Sequence, residues 1–125
     1  MHTTYYYIAD KLLKINKNLN VISIALFSPS WYKGREYTKL APTKQILKDY
    51  KDGTIDEQTY IYRYYEEILD KLDAEQIYDE LGKDAILVCW EGSDKFCHRH
   101  LVADWFYEKL NIEVKEISKI VVNFE

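Results

Sequence analysis

Residues 86–106, ILVCWEGSDKFCHRHLVADWF, run apolar, then polar, then apolar again. The first part belongs to DAILVCW (84–90), a short continuous apolar run with the pattern of a strand buried on both faces. EGSDKF (91–96) is polar and reads as a loop. CHRHLVADWFYEKL (97–110) reads as a helix whose Leu101, Val102, Trp105 and Phe106 face the core. A thiol, two imidazoles and a guanidinium, Cys97 to His100, stand in a row at the start of that helix.

Upstream, VISIALF (21–27) is a second buried strand, TTYYYI (3–8) a first strand and ADKLLKI (9–15) a short helix. NKNLN (16–20) is a turn, and SPSWYKGREYTKLAP (28–42), with both prolines and a glycine, is a long loop. TKQILKDYK (43–51) is a helix capped by Thr43. DEQTYIYRYYEEILDKL (56–72) is a longer helix capped by Asp56, with Ile61, Tyr64, Tyr65, Ile68 and Leu72 as its apolar stripe. DAEQIYDELG (73–82) starts at an Asp cap and stops at Gly82. IEVKEI (112–117) alternates as an edge strand does, and SKIVVNF (118–124) is a further strand or an ordered extension. The alternation of strands and helices predicts a single α/β domain over 1–125, with a short, mainly parallel sheet flanked by helices. Ligands in such folds sit at the carboxyl ends of strands, which directs attention to loops 28–42 and 91–96.

The 125 residues carry a net charge of −4, which argues against a general nucleic-acid coat. Twelve tyrosines raise the aromatic share to 15%, and some of these rings are expected to line a half-wet cleft. No apolar run reaches the roughly 18 residues of a membrane span. The opening MHTTYYYIADKLLKINKN has neither the basic start nor the long apolar stretch of a secretory leader. Two cysteines make no disulfide framework, so the expectation is a cytoplasmic protein with both thiols reduced and no membrane partner.

The Cys-His-Arg corner admits three functional readings. A helix N-terminus offers unpaired N–H groups and the positive end of the dipole, and Arg99 adds a planar fork of donors, so the corner suits a phosphate or nucleotide anion. A thiol there is pushed toward thiolate, which makes Cys97 a nucleophile with His98 or His100 as proton partner. Metal binding by Cys89, Cys97, His98 and His100 is the third reading. Successive helical residues point about 100° apart, so His98 and His100 diverge, and the cysteine spacing is not that of a zinc knuckle. No metal or other cofactor is therefore predicted. The competing structural account makes Cys89 and Cys97 small buried hydrophobes, with His98 and Arg99 capping carbonyls or pairing with Asp94 or Asp104.

Loop 28–42 interleaves Trp31, Tyr32 and Tyr37 with Lys33, Arg35 and Lys39, and Lys44 follows it. Charge for phosphate beside flat rings for a base is what a nucleotide or single strand requires, although the same rings also serve as a lid packed on the core. Glu91, just past Trp90, is placed as a general base or as an orienting group for His98 or Arg99.

The stretch LVCWEGSDKFCHRHLVADWF resembles the signature of the family catalogued as domain of unknown function 488: an apolar strand ending in Cys-aromatic-Glu, a short polar loop, then Cys-His-Arg and an apolar helix. ISIALFSPSWYKGREYTKLAPTK is similar to the first strand and loop of a subgroup of that family that spans nearly the whole chain. Many members carry Asp-Val-Arg after the first strand, where this chain reads Ala25-Leu26-Phe27. The resemblance implies an α/β fold, a bacterial, archaeal or phage origin and a shared site at Cys89, Glu91, Cys97, His98 and Arg99, but supplies no activity. Taken together, these readings predict a pocket for a small anionic, nucleotide-like ligand. Arg99 holds the anion, Lys33 and Arg35 close over it, Trp31 or Tyr32 stacks, Cys89 contributes to binding, and Cys97, His98 and Glu91 are the candidates for chemistry. The alternative is a non-catalytic module that binds single-stranded nucleic acid or a protein through loop 28–42.

Overall fold

The computed structural model describes residues 1–120. Strand β4 (Ile86–Cys89) lies between β2 (Val21–Ser23) and β1 (His2–Tyr5), with β3 (Arg35–Glu36) beyond β2 and β5 (Lys115–Glu116) beyond β1. All of the pairings are parallel, and Ile22 and Thr3 both stand opposite Leu87.

The period-two geometry of the strands sends alternate residues to opposite faces. Ile22, Ile24 and Leu87 join one core with Ile46, Tyr64, Ile77, Trp105 and Phe106. Val21, Ile86, Val88 and Cys89 join another with Tyr6 and Ala9. Helix α1 (Tyr6–Ile15) therefore covers one face of the sheet. Helices α2 (Lys44–Lys51), α3 (Glu57–Glu67), α4 (Ala74–Leu81) and α5 (His98–Leu110) cover the other. This is the predicted α/β sheet flanked by helices.

The helix starts follow the predicted caps. Thr43 accepts from the Ile46 N–H at 3.1 Å, Asp56 from Thr59 at 2.8 Å and Asp73 from Glu75 at 3.0 Å. Each such cap is worth about 1 kcal/mol against alanine. Gly82 ends α4 at φ 97°, a backbone that side-chain-bearing residues rarely adopt.

Several elements differ from the sequence reading. The strand predicted over 3–8 stops at Tyr5, because Tyr6, Ile8 and Ala9 bury a helical face and that burial overrides the β-propensity of tyrosine. Of VISIALF only Val21–Ser23 is strand; the Ile24 N–H still donates to Val88 at 3.0 Å, after which the chain bends away. The long loop contains β3, an edge strand whose exposed Arg35 and Glu36 carry no apolar signal and guard an open edge. Helix α3 ends at Glu67, and its buried face is Tyr60 and Tyr64; Ile61, Tyr65, Ile68 and Leu72 are only partly buried. IEVKEI pairs over just two residues. Residues 118–120 form no regular element, and the rest of the predicted tail strand lies outside the described residues. Among the described residues no helix is long and apolar enough to cross a membrane.

Candidate functional site

A cleft of about 1120 Å³ opens at the carboxyl ends of β2 and β4. Its floor is Ala25, Cys89, Cys97 and His98; its rim carries Phe27, Trp90 and Glu91; its far wall is α2 and the start of α3. The bend after Ile24 and the return of loop 90–97 create the opening. Trp90 clamps the two segments together, its indole N–H donating to the Phe27 carbonyl at 2.7 Å.

Cys89 ends β4 and Cys97 occupies the N-cap position of α5 without a side-chain capping bond, and the structure joins their sulfurs as a disulfide. This corrects the expectation of two separate reduced thiols: the loop between them folds back on itself, so a separation of eight residues closes into contact. His98, the first residue of α5, is buried. Its Nε2–H donates to the Ile24 carbonyl at 2.7 Å, which leaves Nδ1 unprotonated and 3.8 Å from the Cys97 sulfur. Burial pulls its pKa down to about 4; the bond to Ile24 opposes this, and the Arg99 charge adds to it. His98 is therefore a neutral imidazole at ordinary pH.

Arg99 is fully buried and does not line the cleft. Its Nε and Nη2 donate to the two carboxylate oxygens of Glu116 at 3.1 and 2.8 Å, and its Nη1 donates to the Cys89 sulfur at 3.1 Å. The predicted partners Asp94 and Asp104 are replaced by Glu116 of β5. Thr3 and Ser93 also donate to Glu116, at 2.7 and 2.6 Å. Burial raises the Glu116 pKa, but the donors from Arg99, Ser93 and Thr3 outweigh it and hold the carboxyl below its ordinary value.

Most of the aromatic-basic loop turns away from the cleft; of residues 28–42 only Pro42 lines it. Tyr32 is buried, its hydroxyl donating to the Val21 and Arg35 carbonyls at 3.2 and 2.7 Å. Gly34 permits this, since a Cβ there would stand 2.6 Å from the Tyr32 oxygen. Arg35 donates to the Glu80 carbonyl at 2.8 Å, and Lys33 is exposed. Trp31 stands edge-on to Tyr6 and lines a shallow recess with Tyr5, Tyr7, Asp10 and Trp90. None of these four predicted ligand-binding residues lines the cleft, because the chain after β2 runs outward to the sheet edge.

The cleft draws its cations and rings from elsewhere. Lys44, Lys48, Lys51 and Lys95 line it, as do Tyr50, Tyr60 and Phe96. The rings form a continuous series from the cleft into the core: Tyr50 to Phe96 5.4 Å, Phe96 to Tyr60 4.9 Å, Tyr60 to the buried Tyr64 6.2 Å, and Tyr64 to the His98 ring 5.7 Å. Lys48 is tied to Asp52 at 2.7 Å. The sequence reading sets Lys44 just after loop 28–42 and gives Tyr60 no place in a site. The cue it lacked was that α2 and α3 pack across the end of β2.

A parallel α/β sheet with a cysteine-histidine cleft at its carboxyl edge defines the class. The chain belongs to the DUF488 family: the DUF488-N3a family, described as the active DUF488-N3 subclade, matches residues 20–110, from just before β2 to the end of α5. No curated protein and no solved structure matches the chain.

Proposed function

We propose that the protein binds, and acts on, a phosphate-bearing, nucleotide-like ligand in this cleft. The observation that carries the reading is the placement of lysines beside an aromatic wall, over a floor that holds two cysteines and a neutral histidine. Lys44, Lys51 and Lys95 supply charge for phosphate, and Phe27 and Trp90, 63% and 54% exposed, offer faces to a base. Cys97, His98 and Glu91 are the groups for chemistry. In the reduced protein Cys97 is the nucleophile, His98 Nδ1 accepts its hydrogen bond, and Glu91 at the rim exchanges protons with the ligand. Cys89 in the floor and Arg99 beneath it act as positioning groups. The subclade's description as active supports catalysis over simple adhesion. A prokaryotic or phage protein working in a reducing cytoplasm fits the dithiol form that this chemistry needs.

Thermal shifts against nucleotides, sugar phosphates, inorganic phosphate and short single strands test this reading. A ligand at about 100 times its Kd stabilises by about 2.7 kcal/mol. The expected result is a nucleotide or sugar-phosphate shift that shrinks in Lys44→Ala. A second reading, a non-catalytic interaction module, draws on exposed Tyr7, Trp31 and Trp90 around the shallow recess. Salt-dependent single-strand binding that is lost in Trp31→Ala and kept in Lys44→Ala favours that reading instead.

A further inference from the structure

We propose that reduced Cys89 and Cys97, with Nδ1 of His98, bind a soft divalent cation of the zinc type whose remaining coordination position faces the cleft. One donor atom from each residue lies within 4.8 Å of the others, and all three residues are buried. Zinc bonds of about 2.0–2.3 Å place tetrahedral donors about 3.5–3.8 Å from one another. The 3.8 Å between the Cys97 sulfur and His98 Nδ1 matches, and the two bonded sulfurs must part on reduction to reach the same spacing.

Two groups outside the donor set are arranged as a metal site requires. A ligating histidine ordinarily donates its second ring N–H to a carbonyl or carboxylate, which fixes the tautomer and aims the other nitrogen. The His98–Ile24 bond does this, pointing the Nδ1 lone pair toward the sulfurs. The Arg99 guanidinium donates to the Cys89 sulfur, and such a charge-assisted donor favours thiolate. Arg99 is itself neutralised by Glu116, so it adds little repulsion toward a dication. The Cα atoms of Cys89 and Cys97 are 7.3 Å apart, wider than the about 4.4–6.8 Å of most disulfides. Once the bond is reduced, that span leaves both sulfurs free to turn toward one ion.

The divergence of His98 from His100 along the helix does not bear on this donor set, which excludes His100. His100 is directed elsewhere, and its Nε2 is buried with no partner among the described residues. The site needs only His98 and the fold-back of the loop. Three protein donors and an open cleft describe a catalytic rather than a structural zinc. Water or a ligand oxygen completes the shell, and the cation polarises it. Loading requires the dithiol: a phosphine takes up oxygen from water as the disulfide becomes two thiols, and each thiol releases a proton as it binds metal.

The site uses the same Cys97 sulfur and His98 Nδ1 as the proposed thiolate chemistry, so metal binding and a free nucleophile are alternative states of one floor, whereas phosphate binding by the cleft lysines is separate from both; the test uses no nucleotide, so either reading can fail alone. The phosphine-reduced protein is desalted, loaded with zinc and assayed for bound metal; cobalt(II) replaces zinc for spectroscopy. The expected result is one metal per chain, with tetrahedral cobalt bands and thiolate-to-metal charge transfer. Cys89→Ser and Cys97→Ser, checked for folding by circular dichroism, lose the charge-transfer intensity. Their affinity falls by more than the about 10–100-fold that second-shell changes cost. His2→Ala and His100→Ala keep both properties. A reduced wild-type protein that retains no zinc overturns the proposal. So does stoichiometric zinc that survives unchanged in the two serine variants.

Discussion

The imidazole Nε2–H of His98 donates to the backbone carbonyl of Ile24 across 2.7 Å, tying the first turn of α5 to the end of β2. Both sides of the cleft floor are fixed by that bond. Because burial holds the His98 pKa near 4, the folded state resists a proton that the unfolded chain takes up at about 6.5. The contribution to stability is therefore complete above pH 6.5 and is lost as the pH falls toward 4, with a total of about 3 kcal/mol. Denaturant melts between pH 7 and pH 4 are expected to show this slope, and His98→Gln to show much less of it.

Arg99 and Glu116 form a pair in which one side chain is wholly buried and the other largely so. Arg99→Met strands the carboxylate and is expected to cost about 3 kcal/mol or more. Adding Glu116→Leu recovers part of that loss, since an apolar pair replaces a buried ionic one. Chemical denaturation of the single and double variants reads the difference. Because the Glu116 pKa is lowered in the fold, the wild-type pair stabilises above the ordinary carboxylate range and is lost as the pH falls through that lowered value.

Tyr64 sits within the core, its hydroxyl donating to the Leu40 carbonyl at 2.6 Å. Tyr64→Phe keeps the ring in the aromatic series and removes the donor. An unsatisfied buried carbonyl costs about 1–3 kcal/mol, so the melting temperature is expected to fall while the cleft keeps its shape. Unchanged stability in this variant contradicts the assigned bond.

Nucleotide affinity is expected to depend on the cleft lysines and not on the loop lysine. Lys44→Ala and Lys95→Ala each weaken binding by about 5–10-fold, or about 1 kcal/mol, and Lys33→Ala leaves it unchanged. Raising the salt concentration weakens the wild type more than either cleft variant, because fewer screened contacts remain in the variants.

What the sequence disclosed depended on how local each signal is. The apolar runs of β2 and β4 and the caps Thr43, Asp56 and Asp73 act within a few residues, and the structure keeps them. Edge strand β3 was illegible because Arg35 and Glu36 have no apolar period; their pairing with Ile22 and Ser23 is a tertiary fact. The corner from Cys97 to Arg99 stood out, and Cys89, Glu91, Cys97 and His98 do line one cleft. The partner of Arg99 lies 17 residues further on, in a strand whose register is set by β1, so sequence proximity pointed to the wrong acids. The loop after β2 looked like the cleft wall because it follows that strand directly. Its path outward to β3 leaves the wall to α2 and α3.

Lysines and rings together are proposed to bind a phosphate-bearing nucleotide above the Cys97–His98 floor. Calorimetric titration of the reduced protein compares a nucleoside monophosphate, the bare nucleoside and inorganic phosphate in the wild type and in Lys44→Ala/Lys95→Ala. The nucleotide is expected to bind more tightly than either fragment, and the double variant to lose most of this advantage. Equal affinity of the double variant and the wild type, or no nucleotide binding at about 1 mM, contradicts it.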